Sequence, residues 1–88
     1  MKNKIDRLSV SITNKVIELQ EHGYDFDFLL LKNGSLLCMQ TNMNYPINSV
    51  SISMMEHGYD FFGKCYKNIH AIETGNGERG VLLTESIL

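Results

Sequence analysis

Polar and apolar positions divide the chain into one stretch of helical spacing and several of strand alternation. Across "TNKVIELQEH", Thr13 to His22, the residues Val16, Ile17 and Leu19 fall on one side of a short helix, with Thr13 placed as an N-cap and Gly23 as a left-handed C-cap. Upstream, "RLSVSIT" supports two readings. Leu8, Val10 and Ile12 alternate as a strand would, whereas Ile5, Leu8, Ile12, Val16 and Leu19 fit one helical stripe; serine and β-branched content argues against a long helix. Pattern alone leaves residues 1–12 open between helix, strand and disorder.

The sharpest local signal is "DFDFLLLKNGSLLCMQT", two apolar runs around Asn33-Gly34, the dipeptide favoured in a two-residue type I′ hairpin turn. Such a turn sets Lys32 opposite Ser35, Leu31 opposite Leu36, Leu29 opposite Cys38 and Phe28 opposite Met39. One sheet face then carries Phe26, Phe28, Leu30, Leu37 and Met39, and the other Leu29, Leu31, Leu36 and Cys38. Both faces are apolar, so a single helix cannot cover them; the N-terminal segment or a second subunit must cover the other.

"TNMNYPIN" reads as a polar connection ending near the sole proline, Pro46. In "SVSISMM", Val50, Ile52 and Met54 alternate with serines as in a half-buried strand. "YKNIHAIET" adds a strand with Ile69, Ala71 and Glu73 opposed to His70 and Ile72. "GNGERG" turns the chain and "VLLTESIL" closes it as a last strand. The expected fold is α+β: one short helix packed on a mainly antiparallel four- to five-stranded sheet.

Composition narrows the function classes. With 88 residues there is room for one small domain, 1–88, at a size where partner copies often supplement a thin core. A net charge of -2 removes a general electrostatic case for nucleic acid. No apolar run approaches the roughly 20 residues a spanning helix needs, so no membrane partner is expected. Cys38 and Cys65 lie far apart in strand-like segments, and the start "MKNKIDRLS" is not signal-like, which together suit a reduced, cytoplasmic protein. Met39, Met43, Met54 and Met55 read as gap-filling core, with Met55 facing away from Met54.

Chemistry enters with "EHGYDF", which stands at residues 21–26 and again at 56–61. A six-residue identity in so short a chain has a chance expectation of roughly one in several thousand at average residue usage, so coincidence is not the default and duplication stays open beside it. The flanks disagree, helix-like before the first copy and strand-like before the second. Gly23 is therefore expected to cap a helix and Gly58 to lie in a turn after a strand. If the copies met in space, Tyr24, Asp25, His57, Tyr59 and Asp60, with His70, would form a polar ligand cluster. Cys and His spacing matches no zinc pattern, strand-borne thiols are commonly inert, and no cofactor is expected. "GNGERG" satisfies G-x-G-x-x-G, yet the segment after it looks like a strand rather than the helix a dinucleotide site requires.

"LQEHGYDFDFLL", "LLC", a proline before an alternating strand, and "IHAIETGNGERGVLL" together resemble a family of small bacterial proteins often labelled phosphoribosylpyrophosphate synthetase. The resemblance runs from about Thr13 to Leu83 and is most specific at Gly23-Tyr24 through Phe28 and at Ala71-Ile72-Glu73 through Gly80-Val81-Leu82. It departs at the second "EHGYDF". A pyrophosphate transferase needs a nucleotide site, metal-binding carboxylates and a ribose-phosphate loop, and none of these constellations is present, so no catalytic residue is carried across. The expected function is a non-catalytic binding or regulatory module that self-associates or takes a protein partner, its small-molecule ligand unknown. The alternative is a small enzyme or ligand-binding protein using the Tyr/Asp/His cluster.

Overall fold

The computed structural model describes residues 10–60 and 63–86; Ile5, Leu8 and Phe61, which enter the sequence reading, lie outside the described residues. Helix α1 spans Val10–Glu21. Its buried stripe is Ile12, Val16 and Leu19, spaced for one helix face, so helical periodicity prevails over strand alternation across residues 10–12. Thr13 consequently lies inside the helix and is not its cap, and Ile17 points away from the core at 47% exposure. The C-terminus closes as expected at Gly23, whose φ of 94° is left-handed. Gly23 N–H donates to Gln20 O (3.1 Å) and Tyr24 N–H to Leu19 O (3.0 Å), the paired bonds of a Schellman motif, while Tyr24 packs on the same core as Leu19.

Six strands follow: β1 Phe26–Leu30, β2 Ser35–Cys38, β3 Asn44–Pro46, β4 Ser51–Asp60, β5 Cys65–Glu73 and β6 Arg79–Ser86, with a 3-10 turn at Ile47–Ser49. They form one sheet in the order β3-β2-β1-β6-β5-β4. The α+β class holds and four of the five strand pairings are antiparallel, but the sheet is mixed, with one parallel pairing, and has six strands where four to five were expected. The extra strand is β3, a polar segment that pairs with β2 despite its proline. The parallel contact is β1 with β6, through Phe26↔Gly80 and Phe28↔Leu82. Gly80 makes that contact feasible, because a Cβ there would lie 2.2 Å from Phe26 O and 2.7 Å from the Phe28 ring.

The hairpin register is one residue away from the expected one. Leu31 N–H donates to Ser35 O (2.9 Å) and Phe28 pairs with Cys38, Leu29 with Leu37 and Leu30 with Leu36. The loop therefore contains three residues, Lys32-Asn33-Gly34, with Gly34 left-handed at φ 85°. One residue of slip turns β2 over: Leu36 and Cys38 share the face of Phe28, and Leu37 shares that of Leu29.

The connection between β3 and β4 shapes the whole sheet. These strands are the two sheet edges, and five strand spacings of about 4.8 Å would separate them by about 24 Å if the sheet were flat. Only residues 47–50 join Pro46 to Ser51, a reach of at most about 18 Å even when fully extended. The sheet must therefore curl, and it curls toward the face of Phe28, where Tyr45 and Val50 at the ends of the connection pack. Inside lie Phe28, Leu36, Cys38, Ile72 and Leu82; Tyr45 meets Phe28 edge-on at 6.3 Å and donates its hydroxyl to Glu78 Oε1 (2.5 Å) beside the β5–β6 turn. Outside, α1 covers Ile69, Ala71 and Val81 through Ile12, Val16 and Leu19. Leu29, on the outer face of β1, stays 46% exposed.

The close approach at Gly80 gives a direct test. Gly80→Ala is expected to cost about 3 kcal/mol or more, because backbone on backbone cannot relax as a side chain can. Gly75→Ala, where a Cβ would meet nothing within 4 Å, should stay within about 0.5 kcal/mol of the native chain in urea denaturation.

Candidate functional site

The two copies of "EHGYDF" occupy different structures. In the first, Glu21 ends α1, Gly23 caps it, Asp25 is solvent-exposed and Phe26 opens β1. The second copy, Glu56 to Asp60, lies within β4, so Gly58 is a strand residue paired with Lys67 and not a turn residue. The alternation in "SVSISMM" continues into a longer strand through a β-bulge between Met54 and Glu56.

The six candidate ligand residues divide between the two faces. His57, Tyr59 and His70 point to the inner face. Tyr24 is on the outer face, and Asp60 pairs in register with Cys65 and reaches Lys67 Nζ at 3.4 Å. No single cluster of Tyr24, Asp25, His57, Tyr59, Asp60 and His70 forms. Two smaller arrangements take its place.

On the inner face, β5 presents Tyr66, Asn68 and His70 at every second position. The His57 ring stacks on Tyr66 at 5.1 Å and 4°, its Nδ1 donates to Asn68 Oδ1 (2.6 Å), and Tyr59 meets Tyr66 edge-on at 5.0 Å. His70 Nε2 shares a hydrogen bond with Thr84 Oγ1 (3.0 Å), while its Nδ1 is buried without a partner. Burial holds the His70 imidazole below its ordinary pKa.

On the outer face, the C-terminal end of α1 and β4 bound a cleft of about 510 Å³. Leu19, Met55 and Ala71 line its apolar part; Glu18, His22, Tyr24, Ser53 and Arg79 line its polar part. His22 Nδ1 donates to Glu18 O (2.8 Å), which fixes the ring, and the Arg79 guanidinium lies 4.8 Å over the Tyr24 ring. A Cβ on Gly23 would come within 2.9 Å of Arg79 Nη2, so the same glycine that caps the helix also makes room for the guanidinium.

The remaining reactive groups lie apart from these clusters. Cys38 is in the inner core, and Cys65 is on the outer face, where burial and then Glu85 push its thiol pKa up, away from the thiolate a nucleophile needs. Burial disfavours the Lys67 ammonium, but the hydrogen bond and charge of Asp60, with Glu85, outweigh it and raise its pKa. Among the described residues no group of three or more His, Cys, Asp or Glu side chains could hold a metal ion, and no helix is long and apolar enough to cross a membrane. The methionines expected in the core are at the surface: Met39, Met43, Met54 and Met55 are all exposed, with Met54 and Met55 on opposite faces. "GNGERG" forms the β5–β6 hairpin loop and leads into β6, with Gly77 left-handed at φ 90°.

No family model, curated protein or solved structure matches the chain.

Sequence reasoning passed over Tyr66, Asn68 and Thr84, although the period-two spacing of Tyr66, Asn68 and His70 was available as a signal. Arg79 carried no such signal, because its neighbours in the cleft come from three other segments of the chain, the end of α1, β4 and β5.

His70 makes stability depend on pH with a definite sign. Its folded pKa lies below the unfolded value of 6.5, so below pH 6.5 the unfolded chain binds a proton that the folded chain resists. Stability is therefore full above that pH and falls on acidification toward the folded pKa. In urea melts from pH 7.5 to 5, His70→Gln is expected to remove this part of the decline while leaving the remainder.

Proposed function

We propose that the protein is a non-catalytic binding module that self-associates through the edge of β4. The observation that carries this reading is the contrast between the two sheet edges. β3 has three residues and ends in Pro46, a protected edge. β4 has ten residues, lacks proline, and carries no charge from Ser51 to Met55. Along that half Met54 is 58% exposed and Ile52 38%, both on the inner face. From the bulge onward, Glu56 and Asp60 and the altered twist make the second half a poorer template.

An uncharged strand edge with two exposed apolar side chains suits antiparallel pairing with its own copy about a two-fold axis. The same patch then serves both partners, and Ile52 and Met54 of each copy cover those of the other. Two free thiols on opposite faces suit a reducing, cytoplasmic setting. We also carry forward the resemblance to the small proteins labelled phosphoribosylpyrophosphate synthetase as a proposal of ancestry without transferase activity. Its most specific residues, Gly23-Tyr24 and Gly80 to Leu82, have structural work in the helix cap and the β1–β6 contact.

At micromolar concentration, light scattering is expected to give twice the chain mass. Ile52→Lys and Met54→Lys are each expected to give a monomer with unchanged circular dichroism, because both side chains are exposed within one chain. A native chain that is strictly monomeric at these concentrations would overturn the reading.

A further inference from the structure

We infer that the outer-face cleft binds a small monocarboxylate bearing an apolar group, held by Arg79. In the β5–β6 ladder Arg79 stands directly opposite Glu73, the position at which a cross-strand ion pair would form. It makes none. Among the described residues no acid lies within ion-pairing distance of Arg79, and its guanidinium is instead turned over the Tyr24 ring at the wall of the cleft.

Helix capping does not account for that position. Among the described residues Arg79 makes no hydrogen bond to a carbonyl of α1, and three carbonyls of the last turn already have partners: Leu19 O accepts from Tyr24 N–H, Gln20 O from Gly23 N–H, and Glu18 O from the His22 ring. Arg79 is thus a half-buried cation held by a flat ring, with its hydrogen-bonding fork available. That is the group suited to bidentate recognition of a carboxylate.

The walls narrow the ligand further. Leu19, Met55 and Ala71 offer an apolar surface next to the guanidinium, and the Ser53 hydroxyl is a second polar contact. Among the described residues only one uncommitted cation faces the space, since Lys15, on the same helix, is paired with Glu18 at 3.0 Å. Glu18 lines the cleft with that lysine as its partner, so the pair adds no net charge and Arg79 supplies the single positive charge. A dianion such as phosphate would be undercompensated, while a monoanion with an apolar tail meets both halves of the cleft. This inference goes beyond self-association and does not depend on it, because Ile52 and Met54 lie on the opposite face from the cleft.

The test is titration of the full chain, followed by amide NMR shifts, with sodium 3-methylbutanoate and sodium benzoate as probes and benzamide and inorganic phosphate as comparisons. Saturable shifts centred on Gly23, Tyr24 and Ser53 are expected with both carboxylates. Affinity should fall about tenfold or more in Arg79→Gln and by less in Arg79→Lys, which keeps the charge but loses the fork. Met54→Lys is expected to bind as the native chain does, whatever its oligomeric state, and loss of binding in that variant would overturn the claim that one chain holds the site. No saturable shift, equal binding of benzamide or phosphate, or undiminished binding by Arg79→Gln would each overturn the assignment.

Discussion

The four-residue connection from β3 to β4 is the constraint on which the rest of the structure depends. It joins strands at opposite edges of a six-stranded sheet, and a flat sheet cannot satisfy it. Curling solves the geometry and divides the core. Phe28, Leu36, Cys38, Ile72 and Leu82 gather inside the curve, where no helix is needed to cover them, and α1 is free to cover the outer side of β4, β5 and β6. A chain with one described helix can in this way bury both faces of much of its sheet. Tyr45 binding to Glu78 ties the incoming edge to the β5–β6 turn and helps hold the curve.

This division explains which parts of the fold were legible in the sequence. Helix-cap chemistry is local, so Gly23 announced the end of α1, and the alternating segments announced β4 and β5. The Asn33-Gly34 pair announced a hairpin but not its register, because a two-residue type I′ turn and a three-residue loop with a left-handed glycine use the same letters. Which one forms is decided by tertiary packing: the observed register places Leu36 and Cys38 inside the curve with Phe28, where both are fully buried. The parallel β1–β6 contact was invisible for a related reason. It joins residues more than fifty positions apart, and its one local mark, Gly80, also fits an ordinary turn motif.

The repeated hexapeptide separates letters from environment. Its first copy follows a helix and supplies a Schellman cap; its second is carried in extended form because the β4–β5 ladder that starts at Ser51 runs on through it to Asp60. Tyr24 and Tyr59 accordingly end on opposite faces, one beneath a guanidinium and one against Tyr66. Residue type was therefore a poor guide to a shared site. Alternation along a strand was a better one, since Tyr66, Asn68 and His70 were bound to share a face once β5 was recognised.

The bulge in β4 links the two functional proposals physically while keeping them distinct. Before it, successive side chains alternate strictly, so Ile52 and Met54 face inward and Ser53 outward. Regular alternation carries Met55 to the outer side with Ser53, in the cleft with Arg79, and the bulge then leaves Glu56 on that side as well, opposite Ile69. It also interrupts the ladder, so the strand on its far side has a changed twist and carries Glu56 and Asp60. The uncharged edge thus ends with Met55 at the bulge, and that same residue places an adaptable thioether in the cleft. Partner recognition along the edge and ligand recognition on the outer face can then vary independently, because no side chain named for one points toward the other.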